Sequence, residues 1–230
     1  MAGAGLSAQR PQPRTLIVAV TGHRLNQLPP AERPRIQAEI ARCLEQAEAA
    51  AREVNAGPAR CVLHSAIAEG ADRYAADAAL ARGWRLVTPL PFSVERYEED
   101  FPDLESKEHY QRLLWASRRV LPVAEDLVAK VGGGAAAPYA AVGRALIEKA
   151  DLLLCVWNGL PPKGPGGTSE VAALMLEKGG LVLWISPGAP GVKLVGPAPL
   201  PRAGSFRRKL HEALARRFER AARPAEMRVA

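Results

Sequence analysis

Short apolar runs rich in β-branched residues alternate with helix-length amphipathic stretches, and this alternation constrains the chain more than any other feature of its 230 residues. Residues 15–20, 60–65 and 84–90 are three such runs, separated by the segments 31–54 and 69–82. In the first segment Ile36, Ile40, Leu44 and Ala47 recur three or four residues apart, the period of a one-faced helix. Asn55, Gly57 and Pro58 end that helix, and Gly83 ends the next. Strands joined by a helix return to the same edge, so the pattern predicts parallel strands with right-handed crossovers. Residues 93–138 are less regular and read as an insertion after the third strand. The alternation then resumes with helix 139–149, strand 151–157, helix 168–178 and strand 181–185. The expectation is an α/β, doubly wound parallel sheet of about five strands. Residues 1–13 form a flexible leader, 14–186 the domain, 187–204 a Pro/Gly-rich linker, and 205–222 a C-terminal amphipathic basic helix.

Composition removes several classes. Hydrophobic residues at 48% and charged residues at 24% are globular values, which disfavours disorder and fibres. No apolar stretch approaches the ~20 residues of a membrane-spanning helix. The leader has no apolar signal core, so a cytoplasmic location and no membrane partner are expected. Cys43, Cys61 and Cys155 lie far apart without a C-x-x-C pair, which argues against disulfides and zinc. His23, His64, His109 and His211 show no metal-ligand spacing, so no metal site is expected. The net charge of +7 is concentrated at the end, where Arg202 to Arg228 hold nine basic residues against Glu212, Glu219 and Glu226. Phe206, Leu210, Leu214 and Phe218 form one apolar stripe there, expected to dock on the chain's own domain or on a twin subunit.

Ligands in open parallel sheets bind beyond the carboxyl ends of the strands, where helix N-termini present free N–H groups. Three strand-to-helix loops carry glycine and small polar residues. The first is Thr21, Gly22, His23 and Arg24, where a cation and a hydroxyl flank a position open to close backbone approach. Its simpler reading is a structural turn. The second runs from Ser65 through Glu69, Gly70, Asp72 and Arg73; the alternative is that its acids only complement the helix dipole. The third holds Trp157 and Asn158, then Gly164, Gly166, Gly167, Thr168 and Glu170. Paired glycines before a helix-opening threonine make a phosphate cradle in composition, and Glu170 can accept ribose hydroxyls or act at an anomeric carbon. A plain N-cap with a dipole-matching Glu is the competing reading.

The third loop lacks the Gly-Lys-Ser/Thr of a Walker A motif, and the first strand does not lead into G-x-G-x-x-G. A G-x-S-x-G nucleophile elbow is absent as well. Taken in order, Val20 to Arg24, Ser65 to Arg73, Leu90-Pro91-Phe92 and Gly166 to Glu170 resemble the SLOG superfamily, the Rossmann-like group with the DNA-processing Smf proteins and the Lonely-guy phosphoribohydrolases. The resemblance spans most of the chain. It implies a Rossmann-like fold, homodimerisation, and a nucleotide-derived ligand held by these loops, with Pro91 and Phe92 added to the site. The Lonely-guy pattern P-G-G-x-G-T-x-x-E is not kept, because Glu170 follows Thr168 by two residues instead of three. One residue turns a helical side chain by about 100°.

Three functions follow as expectations. The first is binding or sensing of a nucleotide-derived phosphate ligand, with no required cofactor. In the second, an N-glycosidase, phosphoribohydrolase or deoxyribosyltransferase-like enzyme uses Glu170 as its catalytic group, assisted by Asp72. The third is single-stranded DNA binding through the cleft and the basic tail.

Overall fold

A computed structural model describes residues 13–123, 125–132, 134–161, 166–196 and 204–222. β1 (Thr15–Gly22) leads through α1 (Arg33–Val54) to β2 (Arg60–His64), and α2 (Ala71–Ala81) connects to β3 (Arg85–Leu90). α3 (Val94–Glu98), α4 (Leu104–Ala116), β4 (Arg119–Pro122) and α5 (Glu125–Lys130) make up the insertion. α6 (Ala137–Glu148), β5 (Leu152–Val156), α7 (Thr168–Glu177), β6 (Leu181–Ile185), β7 (Val192–Val195) and α8 (Phe206–Ala222) complete the chain.

The sheet has seven strands in the order β4-β3-β2-β1-β5-β6-β7, parallel throughout except at the β6–β7 pair. Order reverses at β1, which lies between β2 and β5. This is the doubly wound α/β architecture expected, with two strands more than the sequence pattern reveals. Alternation along the central strands sorts the core. Leu16, Val18, Val20, Leu152, Leu154 and Val156 pack with α1, α2 and α8, whereas Ala19, Leu153 and Cys155 pack with α6 and α7. Both faces are covered, so these strands read as continuous apolar runs.

The two additional strands are edges. β4 is four residues inside the irregular insertion and ends at a proline. β7 falls within the segment read as a linker: Glu39 accepts Gly191 N–H at 2.7 Å, and Arg35 donates to the Ser186 and Pro187 carbonyls at 3.1 and 2.9 Å. A buried acid on α1 therefore fixes a stretch whose composition suggests only a loop.

α8 docks on its own chain. Leu210, Leu214 and Phe218 are buried against the α1 side of the core, so a twin subunit would need another surface. Arg14 donates to the Phe218 carbonyl at 2.8 Å, and Arg217 donates to the Ala150 and Gly179 carbonyls. Both anchors lie just ahead of β1 and β5, at the strand ends opposite the loops singled out above. Much of the helix's charge is also paired, Arg207 with Glu53 and Arg208 with Glu212. Arg202, Arg223 and Arg228 lie outside the described residues. No helix among the described residues is long and apolar enough to cross a membrane.

Candidate functional site

The connections that follow β1, β2, β3 and β5 meet around one cleft of about 200 Å³. Thr21, Gly22 and Arg24 line it from β1, Ala66, Ala68 and Asp72 from the β2–α2 connection, and Pro91 from the end of β3. Gly166, Gly167 and Thr168 close it from the start of α7. Tyr97 of the insertion and Tyr139 of α6 complete the wall.

Two glycines let the loops approach this closely. Gly70 sits at φ +87°, and a Cβ there would lie 2.5 Å from the His23 carbonyl oxygen. Its neighbour Ala71 donates an N–H to that same oxygen at 3.2 Å, which seats the start of α2 against the β1 loop. Gly166, at φ +78°, would drive a Cβ to 2.6 Å from the Ala140 nitrogen, so α7 begins tight against α6. Glu170 and Val171 both return their N–H groups to the Gly167 carbonyl. Among the described residues no backbone carbonyl outside the helix accepts the N–H groups of Thr168 and Ser169, which stand in its first turn.

The β2–α2 turn is strained. Ile67 is buried and has φ +50°, a left-handed conformation that costs a β-branched residue about 1–3 kcal/mol. Ser65 stabilises the turn, its hydroxyl accepting Ile67 N–H at 3.0 Å and donating to the Asp72 carbonyl at 3.3 Å. The turn directs Ala68 N–H at the Asp72 carboxyl. Asp72 is 6% exposed, and burial pushes its carboxyl up to about 7, against the pull of Ala68 N–H, Arg24 and Arg73. Perturbation by desolvation on a cleft wall is a mark of functional sites.

Arg24 supplies the cation of the cleft. Its guanidinium lies 3.5 Å from Asp100, and the Tyr139 hydroxyl donates to the same Asp100 oxygen at 2.6 Å. Burial and the neighbouring Asp100 push the Tyr139 hydroxyl up to about 12, so it remains a donor at neutral pH. Phe92 stands edge-on to Tyr139, with ring centroids 5.5 Å apart; it supports the wall without lining the cleft.

Several residues picked from the sequence have other roles. Arg73 is 3% exposed and turned into the protein: it donates to the Ile67 carbonyl at 3.0 Å and to Ser106, and its guanidinium lies 4.3 Å from the Phe101 ring centroid. It is not placed to neutralise a ligand in the cleft. Glu69 accepts a hydrogen bond from the Ser106 hydroxyl and, with Arg73, borders a separate depression next to α4. Ser65 is fully buried, and its hydroxyl holds the turn. His23 accepts Asn158 N–H at 3.2 Å, bridging the β1 and β5 loops. Asn158 accepts Leu160 N–H, and Trp157 donates to the Leu160 carbonyl, so neither side chain borders the cleft. Glu170 accepts Gly166 N–H at 2.8 Å and bounds its own loop, outside the cleft lining. Gly164 lies outside the described residues.

Sequence reasoning passed over Tyr139 and the rest of α6, because this helix reaches the cleft from its side and not from a strand tip. Pro138 and Tyr139 opening a helix are the only signal in the chain for it.

Neither a protein-family model nor a curated protein matches the chain. Three solved structures are similar at low identity. DNA processing protein A from Streptococcus pneumoniae shares 15% identity and a TM-score of 0.49, over 91% of this chain and 58% of that one. DNA processing protein A from Helicobacter pylori, in a structure on its single-stranded DNA binding mode, shares 17% and 0.43, over 74% and 64%. The molybdenum cofactor binding protein from Rippkaea orientalis shares 16% and 0.42, over 75% and 77%. The chain thus spans under two thirds of the first two proteins. The strand order itself, with its reversal at β1, is that of a Rossmann-like, doubly wound sheet.

Proposed function

We propose that the cleft binds a nucleotide-derived phosphate ligand. The observation that carries this reading is the convergence of four strand-to-helix connections on one cleft that the N-terminus of α7 and Arg24 both line. Thr168 and Ser169 N–H groups with the positive end of the helix dipole suit an anion, and Arg24 adds a full charge. Asp100 and Tyr139 fix that charge in place. At about 200 Å³ the cleft is smaller than the ~300–1,000 Å³ of sites that enclose a drug-sized ligand. It suits the phosphate and sugar of a nucleotide, with the base at the mouth beside the half-buried Tyr139.

An N-glycosidase acting through Glu170 is not favoured, since that carboxylate is engaged by Gly166 N–H away from the cleft. DNA binding through α8 is not favoured either, since the helix is anchored at the opposite strand ends and much of its charge is paired.

The test is thermal unfolding with nucleoside monophosphates, NAD, ADP-ribose and cyclic AMP. A ligand at about 100 times its Kd adds about 2.7 kcal/mol of stability. Arg24→Ala removes a charge-assisted bond of about 1.5–3 kcal/mol and lowers affinity by roughly tenfold or more. No shift with any of these compounds overturns the reading.

A further inference from the structure

Asp72 presents a buried acid to the cleft. Among the described residues no salt bridge reaches it, although two arginines are near. Arg24 is engaged by Asp100, and Arg73 by the Ile67 carbonyl and Ser106. Ala68 N–H is the backbone donor to its carboxyl, and the residue before that donor, Ile67, is fully buried in a left-handed conformation, its own N–H held by the Ser65 hydroxyl. Strain that is maintained next to a cavity points to a group whose position matters.

Resting on the reading of the cleft as a phosphate site, we propose that Asp72, on the buried wall of the cleft, is a hydrogen-bond donor to an anionic phosphodiester oxygen of the ligand. The groups around it agree with this. Arg24 faces it from the β1 loop, Arg73 from its own helix, and Tyr97 from α3; Tyr139 of α6 and Thr168 of α7 share the cleft. Burial keeps both tyrosines neutral, so the charges that act on Asp72 are the two arginines, with Asp100 beside Arg24 and Glu69 beside Arg73 behind them. Burial outweighs their pull, and the carboxyl retains its proton into the neutral range. An ionised Asp72 would repel a phosphate at this distance, whereas the acid form supplies a donor. The ligand class is therefore a phosphodiester or phosphate oxygen met by a neutral acid, and binding takes up a proton wherever Asp72 is ionised in the free protein.

Cyclic AMP is a suitable probe, because its single phosphodiester charge does not titrate near neutrality. Its binding is measured by calorimetry from about pH 6 to about 8.5, in buffers of different ionisation enthalpy, for wild type and Asp72→Asn. In wild type, affinity falls by up to about tenfold for each pH unit above the Asp72 titration, with uptake approaching one proton. Asp72→Asn shows a flat profile and no uptake. Binding by wild type without proton uptake overturns the role of Asp72 and leaves the phosphate site standing. Absence of binding across the whole range, with the other nucleotides equally inert, overturns both. Proton uptake is read on the wild type, so the result does not depend on how well the variant folds.

Discussion

The β2–α2 and β5–α7 connections are built from the same parts. Each leaves a strand of the central sheet, turns at a glycine with positive φ, and opens a helix with an acid in its first turn. Each acid even accepts the same kind of bond, an N–H from four residues earlier: Ala68 to Asp72 and Gly166 to Glu170. Their surroundings separate them. Gly70 lets α2 slide under the His23 carbonyl, which carries Asp72 to the buried wall of the cleft. Gly166 lets α7 press on α6, and Glu170 is left half-buried beside its own loop. A local hydrogen bond is thus set by spacing, whereas the use of the acid is set by which element the glycine admits.

The comparison is broken most severely by removing the titratable carboxyl of Asp72. Folded Asp72 keeps its proton up to about 7, against an ordinary value of 3.8. The unfolded chain releases that proton first, so stability is fully present at acid pH and declines as pH rises from roughly 4 to about 7. At about 1.4 kcal/mol for each pH unit, the loss is on the order of 4 kcal/mol. Asp72→Asn has no such proton. Urea unfolding of the two proteins at a series of pH values should show curves that diverge across this window, with the Asn variant gaining on wild type as pH rises. Parallel curves would mean that the carboxyl is solvated in the folded chain.

A smaller effect is expected from Gly70→Ala. The new methyl meets the His23 oxygen at 2.5 Å and the residue must stay at φ +87°, so overpacking and backbone strain together cost on the order of 3 kcal/mol. The midpoint of denaturant unfolding checks this. A change of only a few tenths of a kcal/mol would show that the β1 loop yields easily, and that α2 is not wedged under it.

Legibility in the sequence followed the same division between local and distant causes. The buried strands announced themselves, because a strand covered on both faces is apolar at every position, as 152–156 is. β4 and β7 did not: each is four residues long, and β7 is fixed by Glu39 from a helix some 150 positions away. Within the site, Thr21, Gly22, Arg24, Gly166, Gly167 and Thr168 were legible because they stand at strand tips or helix starts, and all of them line the cleft. Arg73 and Glu69 have the same residue types in the same kind of loop, yet α4 captures both through Ser106. No local pattern tells an arginine that faces a cavity from one that braces a turn. Tyr139 was missed for the converse reason, since its place beside Asp100 exists only once α6 packs against the insertion.

The mildest intervention sharpens the comparison on the side of Glu170. Its carboxylate satisfies Gly166 N–H at 2.8 Å, so Glu170→Ala leaves that donor without its partner and costs about 1 kcal/mol. Glu170→Gln retains an amide oxygen of nearly the same reach and should stay within about 0.5 kcal/mol of wild type. If Glu170 shapes the loop by accepting a hydrogen bond, nucleotide affinity tracks stability: the Gln variant binds like wild type and the Ala variant binds slightly worse. If instead its charge acts on the ligand, Gln is as damaging as Ala even though the fold is unaffected. Denaturation and calorimetry on the two variants separate these outcomes, because the loop role requires an oxygen at that position and the charge role requires an anion.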